Sequence, residues 1–402
     1  MRVDIYIGGM AVTAALLLAG CSHNDVAFEA ASGASVPIAF FCDTDSGQED
    51  ATDNGLANAF CNSLTAASIY GWEPTRAVIG HQGAMDSEDL HYTGFGVFAS
   101  QNADGTPDMM YNQEVKFTFV GDRTNPQKGY WSYQPLKYWP SSMASFRIGA
   151  YAPYTEHPTA GGDDTGIIGL SGNSATPYVE YRRCLNPESC VDLLWYYEKP
   201  TAVPAATADH DAGTLSMRMN HALARVQLRL QLDSDPGADT KVLVEQIVLT
   251  GSMAKTGRLS LSDQTVDTVT VGEEEVTKYF PIWSDQTYED CTITIDNDDG
   301  STEHYGLVDP QVRYVEGLPY QWQPAGLTTE PQNALSTVDR LTYVYLIPQP
   351  SLSLTIKVKY HKMTASSNEW YWKTTTSALP TPIGTSLRGN TTYKLNITLS
   401  NI

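Results

Sequence analysis

From Ala224 to Leu232 the chain places Val226, Leu228, Leu230 and Leu232 in strict alternation with Arg225, Gln227, Arg229 and Gln231. A period of two over nine residues leaves little choice of backbone: an extended strand, half-buried in an antiparallel sheet, with one face on a core. The theme recurs at 115–120, 146–151, 241–249, 292–295, 341–347 and 352–360, all rich in β-branched or aromatic residues. Turn dipeptides such as Asp104-Gly105 and Asp299-Gly300 separate them. The second predicts a hairpin loop over 296–300, joining 292–295 to 305–308. One stretch departs from the pattern. Between Asp53 and Ile69, Leu56, Phe60 and Leu64 recur at spacing four among alanines, which predicts a short helix.

A chain of 402 residues exceeds what one hydrophobic core usually supports, so two domains are expected. Pro204 and a run of small residues over 200–212 mark the boundary, between the aromatic run 193–197 and the next strands. The fold class that follows is all-β, with two sandwich-like domains. Acidic residues number 46 against 25 basic ones, a formal charge of -21, which disfavours nucleic acid and anionic membrane surfaces as partners.

The first residues carry an export instruction. An apolar run from about Met10 to Leu18 is too short to span a membrane and has the length of a secretory signal, although Asp4 departs from the usual positive start. It ends in Leu18-Ala19-Gly20-Cys21, which resembles a bacterial lipobox: residues 1–20 would be the signal peptide and Cys21 the lipidated first residue. Ser22-His23-Asn24-Asp25 loosely resembles a surface-export signal of Bacteroidetes lipoproteins. With Cys21 assigned to lipid, five of the six cysteines remain. An oxidising compartment permits disulfides. Cys184 and Cys190 flank a short loop, Cys42 and Cys61 form a second candidate pair, and Cys291 is left over.

Catalytic patterns are absent from the sequence. The eight histidines show no helical i, i+4 pair, and neither a Gly-x-Ser-x-Gly elbow nor a phosphate-binding loop occurs. The acidic run 296–300 has Ile295 where a calcium loop needs its first aspartate. His221 precedes a strong strand and reads as a structural histidine. No enzyme activity, cofactor or metal is implied. Two aromatic clusters, Trp131-Ser132-Tyr133 with Tyr138-Trp139-Pro140 and Trp370-Tyr371-Trp372, are either cross-strand packing or platforms for sugar rings. The second option would make the chain a monomeric surface lipoprotein that binds glycan or host protein.

Several stretches, in order, resemble one family. After the lipobox come Val36-Pro37-Ile38-Ala39-Phe40, Thr75-Arg76-Ala77, Gly94-Phe95-Gly96-Val97-Phe98-Ala99, Tyr138-Trp139-Pro140 and Ala150-Tyr151-Ala152-Pro153-Tyr154. Met219-Asn220-His221-Ala222-Leu223-Ala224-Arg225, Leu346-Ile347-Pro348-Gln349-Pro350 and Tyr393-Lys394-Leu395-Asn396-Ile397 follow. Together they resemble the fimbrillins of Bacteroidales, the FimA-like and Mfa-like pilins of lipoprotein-derived fimbriae. The resemblance implies two tandem β-sandwich domains of transthyretin-like, Greek-key type. It also implies a structural subunit on the outer membrane or in a cell-surface fimbrium, attached to the membrane only through lipid. Its partners would be other fimbrial subunits, a processing protease, and a host protein or glycan.

On that resemblance, residues 21–76 form a pro-segment whose strand Ser35 to Phe41, containing Val36, Ile38 and Phe40, is removed by cleavage between Arg76 and Ala77. Residues 77–205 and 206–402 form the two domains. Pro37 lacks a ladder donor, which independently suits an edge strand. The incoming donor would be the last strand, in which Tyr393, Leu395, Ile397 and Leu399 share one face. Pairing of that strand within its own sheet remains the other option at this point.

Overall fold

The computed structural model describes residues 36–44, 64–71, 87–101, 108–120, 129–158, 166–184, 192–235, 240–271, 274–296, 303–306, 309–315, 329, 332–333, 343–366 and 369–399. The signal peptide, Cys21, Cys61, Arg76, Ala77, Cys190 and the acidic loop 297–300 lie outside them.

The described chain is all-β, as its alternation predicts. The first strands are β1 (Ala39–Thr44), β2 (Leu64–Gly71), β3 (Phe95–Ser100), β4 (Asp108–Phe119), β5 (Gly129–Ser132) and β6 (Arg147–Ala152). Next come β7 (Ile167–Leu170), β8 (Tyr178–Arg182), β9 (Leu194–Glu198), β10 (Thr214–His221), β11 (Ala224–Leu232), β12 (Thr240–Val271) and β13 (Glu274–Asp296). The last are β14 (Glu303–Gly306), β15 (Asp309–Val315), β16 (Gln332–Asn333), β17 (Tyr343–Leu346), β18 (Leu352–Ser366), β19 (Glu369–Thr385) and β20 (Thr391–Leu399). A short helix, α1 (Ser87–Thr93), has Glu88 and Asp89 in its first turn, where the helix dipole favours negative charge. It stops at Gly94, whose left-handed φ of 63° suits a helix C-terminus and whose N–H donates to the Leu90 carbonyl.

Three sheets carry the fold. The first runs β1-β10-β9-β6-β3-β4-β5; the second runs β16-β11-β20-β2, with β17 also on β11; the third runs β19-β18-β12-β8-β7, with β13 also on β12. Sheets two and three enclose one core, in which Val226, Leu228 and Leu230 of β11 and Leu395 and Ile397 of β20 meet Ile247 and Leu249 of β12 and Ile356 and Val358 of β18. The middle of sheet one is buried on both faces, so every residue of β3 is buried. One face, with Phe95, Val97, Ile148 and Met217, forms its own core. The other, with Phe98, Tyr151 and Trp195, packs on Val179, Tyr181, Leu259 and Leu261.

Three expectations change. Residues 64–69, expected to end a helix, belong to strand β2, whose Thr65, Ile69 and Tyr70 suit a ladder; residues 53–63 lie outside the described chain. The hairpin expected around 296–300 does not form between the segments named: 292–296 ends β13 against β12, and β14 pairs with β15. The stretch 200–212 is a connection within the first unit, because β10 after it returns to sheet one beside β9. The chain leaves sheet one at Ala222-Leu223, where β10 gives way to β11. Strand β12 then ties the halves together, pairing with β18 over 240–251 and with β8 over 256–260, while bulges between 254 and 264 change its register with β13.

Candidate subunit interface

The strand that sequence singled out as removable sits at the end of sheet one. Its entry is zipped to the segment after β5: the Trp139 N–H donates to the Val36 carbonyl (3.0 Å) and the Ile38 N–H to the Lys137 carbonyl (2.8 Å). These two bonds flank Pro37, which bridges Tyr138, so the missing proline N–H falls where no donor is used. The Ala39 N–H next bonds the Gly213 carbonyl (3.0 Å), and β1 continues parallel to β10, Ala39 opposite Thr214 and Thr44 opposite Met219. The strand thus closes a seam between two parts of sheet one.

Alternate side chains fill the seam. Ile38, Phe40 and Cys42 are 1%, 6% and 3% exposed, and Val36 packs against the same core. Phe40 meets Phe95 edge-on at 5.8 Å and lies 5.5 Å from the Tyr133 ring. Phe41, on the opposite face, is exposed and lies against His210. From inside the core the Tyr133 hydroxyl donates to the Ile38 carbonyl at 2.8 Å and accepts from the Lys137 N–H. Burial is the main cause that pushes this hydroxyl up to about 12. Gly213, at φ 85°, admits Pro37: a Cβ there would stand 2.5 Å from the Pro37 carbonyl oxygen. Trp139 completes the pocket, its Nε1–H donating to the Gly213 carbonyl (2.9 Å).

Tyr133 and Trp139 are therefore packing residues of the seam, not sugar platforms. Trp131 is half-buried between Phe95 and Phe117, and Tyr138 is exposed. Trp370, Tyr371 and Trp372 fall on β19, opposite Ala365, Thr364 and Met363 of β18.

The last strand pairs inside its own chain. It runs parallel to β11, Ala224 opposite Thr391 through Leu232 opposite Leu399, and antiparallel to β2 on its other edge. Tyr393, Leu395, Ile397 and Leu399 all point into the second core, Leu395 and Ile397 at 0% exposure. The Tyr393 hydroxyl accepts from the Arg388 N–H at 2.8 Å. A correspondence emerges that the sequence did not announce. β1 lies parallel to β10 and β20 lies parallel to β11, so each of two successive strands is flanked by a terminal segment presenting inward side chains at every second position.

Cys42 carries a free thiol turned into the first core, and burial raises its pKa well above the ordinary value, with Asp43 adding to the effect. Cys184 is buried with its sulfur 3.9 Å from the Tyr181 hydroxyl, and Cys291 is a half-buried free thiol. Their candidate partners Cys61 and Cys190 lie outside the described residues. His221 is a satisfied structural histidine: Nδ1 donates to the buried Asp192 carboxylate. Among the described residues no group of three His, Cys, Asp or Glu side chains could hold a metal ion, and no helix is long and apolar enough to cross a membrane.

Sequence reasoning missed Gly213 and β2. The first had no local signal beyond Asp211-Ala212-Gly213 before a strand. The second was masked by the alanines that suggested a helix, although Gly71 and the β-forming Ile69-Tyr70 pointed the other way.

Comparison with solved structures finds a fimbrial protein from Bacteroides vulgatus, 19% identical, covering 77% of this chain and 89% of that one with a TM-score of 0.48. A structure from Bacteroides ovatus, described as a candidate cell adhesion protein, is 13% identical and covers 92% and 93% of the two chains (TM-score 0.37). The fimbrial anchor protein Mfa2 from Porphyromonas gingivalis is 12% identical and covers 51% and 70% (TM-score 0.23). Comparison with curated proteins returns no match. The profile of one family, described as fimbrillin-like, matches residues 75–402. With most of its length inside that match, this all-β chain belongs to the fimbrillin-like family.

Proposed function

We propose that the chain is a structural subunit of a fimbria, exported as a lipoprotein through Cys21, matured by cleavage between Arg76 and Ala77, and polymerised by strand exchange. The observation that carries this reading is the seat of β1. The end strand of sheet one, with Ile38, Phe40 and Cys42 in the core, β10 alongside and the 137–139 backbone bonded to its entry, is a plug whose loss opens a groove. The family match starts at residue 75, so β1 and β2 both lie outside it. A strand from the next subunit would restore the ladder and refill the pockets. Burying its apolar face would contribute roughly 6–12 kcal/mol for four large side chains, before ordering costs.

The donor proposed is β20, which presents Tyr393, Leu395, Ile397 and Leu399 at the same spacing as Val36, Ile38, Phe40 and Cys42. To donate, it must leave β11 and β2 and vacate the second core, a loss that only its burial in the neighbour's groove would offset. Other copies or other fimbrial subunits would be its partners, an arginine-specific protease its activator, and the cell surface its location, with a shaft, tip or accessory role in adhesion. Treating the purified precursor with an arginine-specific protease tests the reading. A mature form beginning at Ala77 that gives ladders on an unboiled gel, absent for Arg76→Ala, is the expected result. A correctly cleaved protein that stays monomeric would overturn it.

A further inference from the structure

We infer that β1 and β2 act as the two prongs of one plug, and that displacement of β1 by a neighbour's strand is what uncovers β20 for donation. This rests on the strand-exchange reading above and adds an order to it: once a rare spontaneous release of both prongs supplies a first donor, each later subunit accepts before it donates.

The two prongs sit on different sheets. β1 lies on β10 in sheet one, and β2 lies on β20 in sheet two. The second ladder matches Gly71 to Tyr393, Ile69 to Leu395, Ala67 to Ile397 and Leu64 to Leu399, so it runs alongside each proposed donor position. β11 covers the opposite edge of β20 over its full length. With β2 in place both edges of β20 are paired; without it, one ladder remains and β20 becomes an edge strand.

Both prongs precede Arg76 and are joined through residues 45–63, so a cut after Arg76 leaves a single piece held at two places. Binding at each place keeps the other prong at high effective concentration. Replacing β1 by an incoming strand keeps the groove filled but ends this mutual retention. The piece is then held by one edge ladder, and its departure exposes β20. One proteolytic event and one invasion thus open the acceptor slot and release the donor in sequence.

Separating the prongs tests this. An engineered cleavage site within 45–63, combined with Arg76→Ala, frees β1 while β2 stays tethered. This protein is expected to take up a labelled peptide of residues 391–399, to form no ladders alone, and to shorten the ladders of Arg76-cleaved protein when mixed with it. A reversible lock avoids any folding defect of the inserted site. In Arg76-cleaved protein carrying Ser68→Cys and Asn396→Cys, which are register partners in the β2–β20 ladder, oxidation should stop laddering and reductant should restore it. Laddering by the tethered or oxidised protein at the rate of the ordinary cleaved form would overturn the inference. Absence of ladders from the ordinary cleaved form itself would instead sink the strand-exchange reading, and this inference with it.

Discussion

The Tyr133 hydroxyl donates a 2.8 Å hydrogen bond to the Ile38 carbonyl oxygen, reaching the plug strand from inside the core it closes. The same hydroxyl accepts from the Lys137 N–H, so one side chain ties both sides of the seam. Tyr133→Phe keeps the ring against Phe40 and removes only this junction. Leaving a buried carbonyl and a buried N–H without their partner costs about 1–3 kcal/mol. Chemical denaturation of the precursor should show that loss, and after cleavage the fragment containing β1 should dissociate faster. An unchanged dissociation rate would mean that the tyrosine does not retain the strand.

The same residue predicts an alkaline weakness. Burial first of all raises the folded Tyr133 hydroxyl to about 12, against an ordinary 10.0, and burial likewise raises Tyr151 and Tyr196. Because the folded value exceeds the unfolded one, the unfolded chain gives up its proton first as pH rises. The stabilisation is complete below pH 10 and is lost progressively up to about 12. Denaturation midpoints at about pH 9 and about pH 11 should therefore fall further for the native chain than for Tyr133→Phe. Equal falls in both proteins would contradict the assignment to Tyr133.

Gly213→Ala addresses the entry of the strand. At φ 85° an alanine is strained, and its Cβ would stand 2.5 Å from both the Pro37 carbonyl oxygen and the Val36 Cγ1 atom. The expected cost is about 1–3 kcal/mol, confined to the seam. Amide exchange at Ile38 and Ala39 should quicken, while amides of β11 and β18 in the second core keep their protection. Unchanged protection at Ile38 would show that Pro37 is not seated on Gly213 in solution.

The parts of this architecture legible in the sequence are those that alternation determines. Ala224–Leu232 is a strand over the bounds its pattern gave, and the inward sets of β1 and β20 are those that period two selects. Alternation says which face is buried but not which strand lies alongside, and the antiparallel neighbours expected for 224–232 are only half the outcome: β16 and β17 run antiparallel to β11, but β20 runs parallel, as β1 does to β10. The region around 64–71 misled because alanines serve helix and strand alike, and its strand character comes from the β20 edge it covers. Proline and small residues over 200–212 suggested a domain boundary. They could not say that the chain beyond it, Thr214–His221, returns to the same sheet.

The position of β20 changes what its removal should do. Tyr393, Leu395, Ile397 and Leu399 line the second core, and burying four such side chains contributes roughly 6–12 kcal/mol, comparable with the whole stability of an ordinary domain. Deleting residues 392–402 is thus expected to unfold the sandwich formed by sheets two and three, not merely to abolish polymer contacts. Loss of near-ultraviolet circular dichroism and of amide protection in β11, β12 and β18 would register it. Ile397→Val, which removes one buried methylene, should cost only about 0.5–1.5 kcal/mol and leave the monomer folded. A truncated precursor that melts like the full-length chain would mean that β20 lies outside its own core in solution. In that case it would be free to donate before any cleavage.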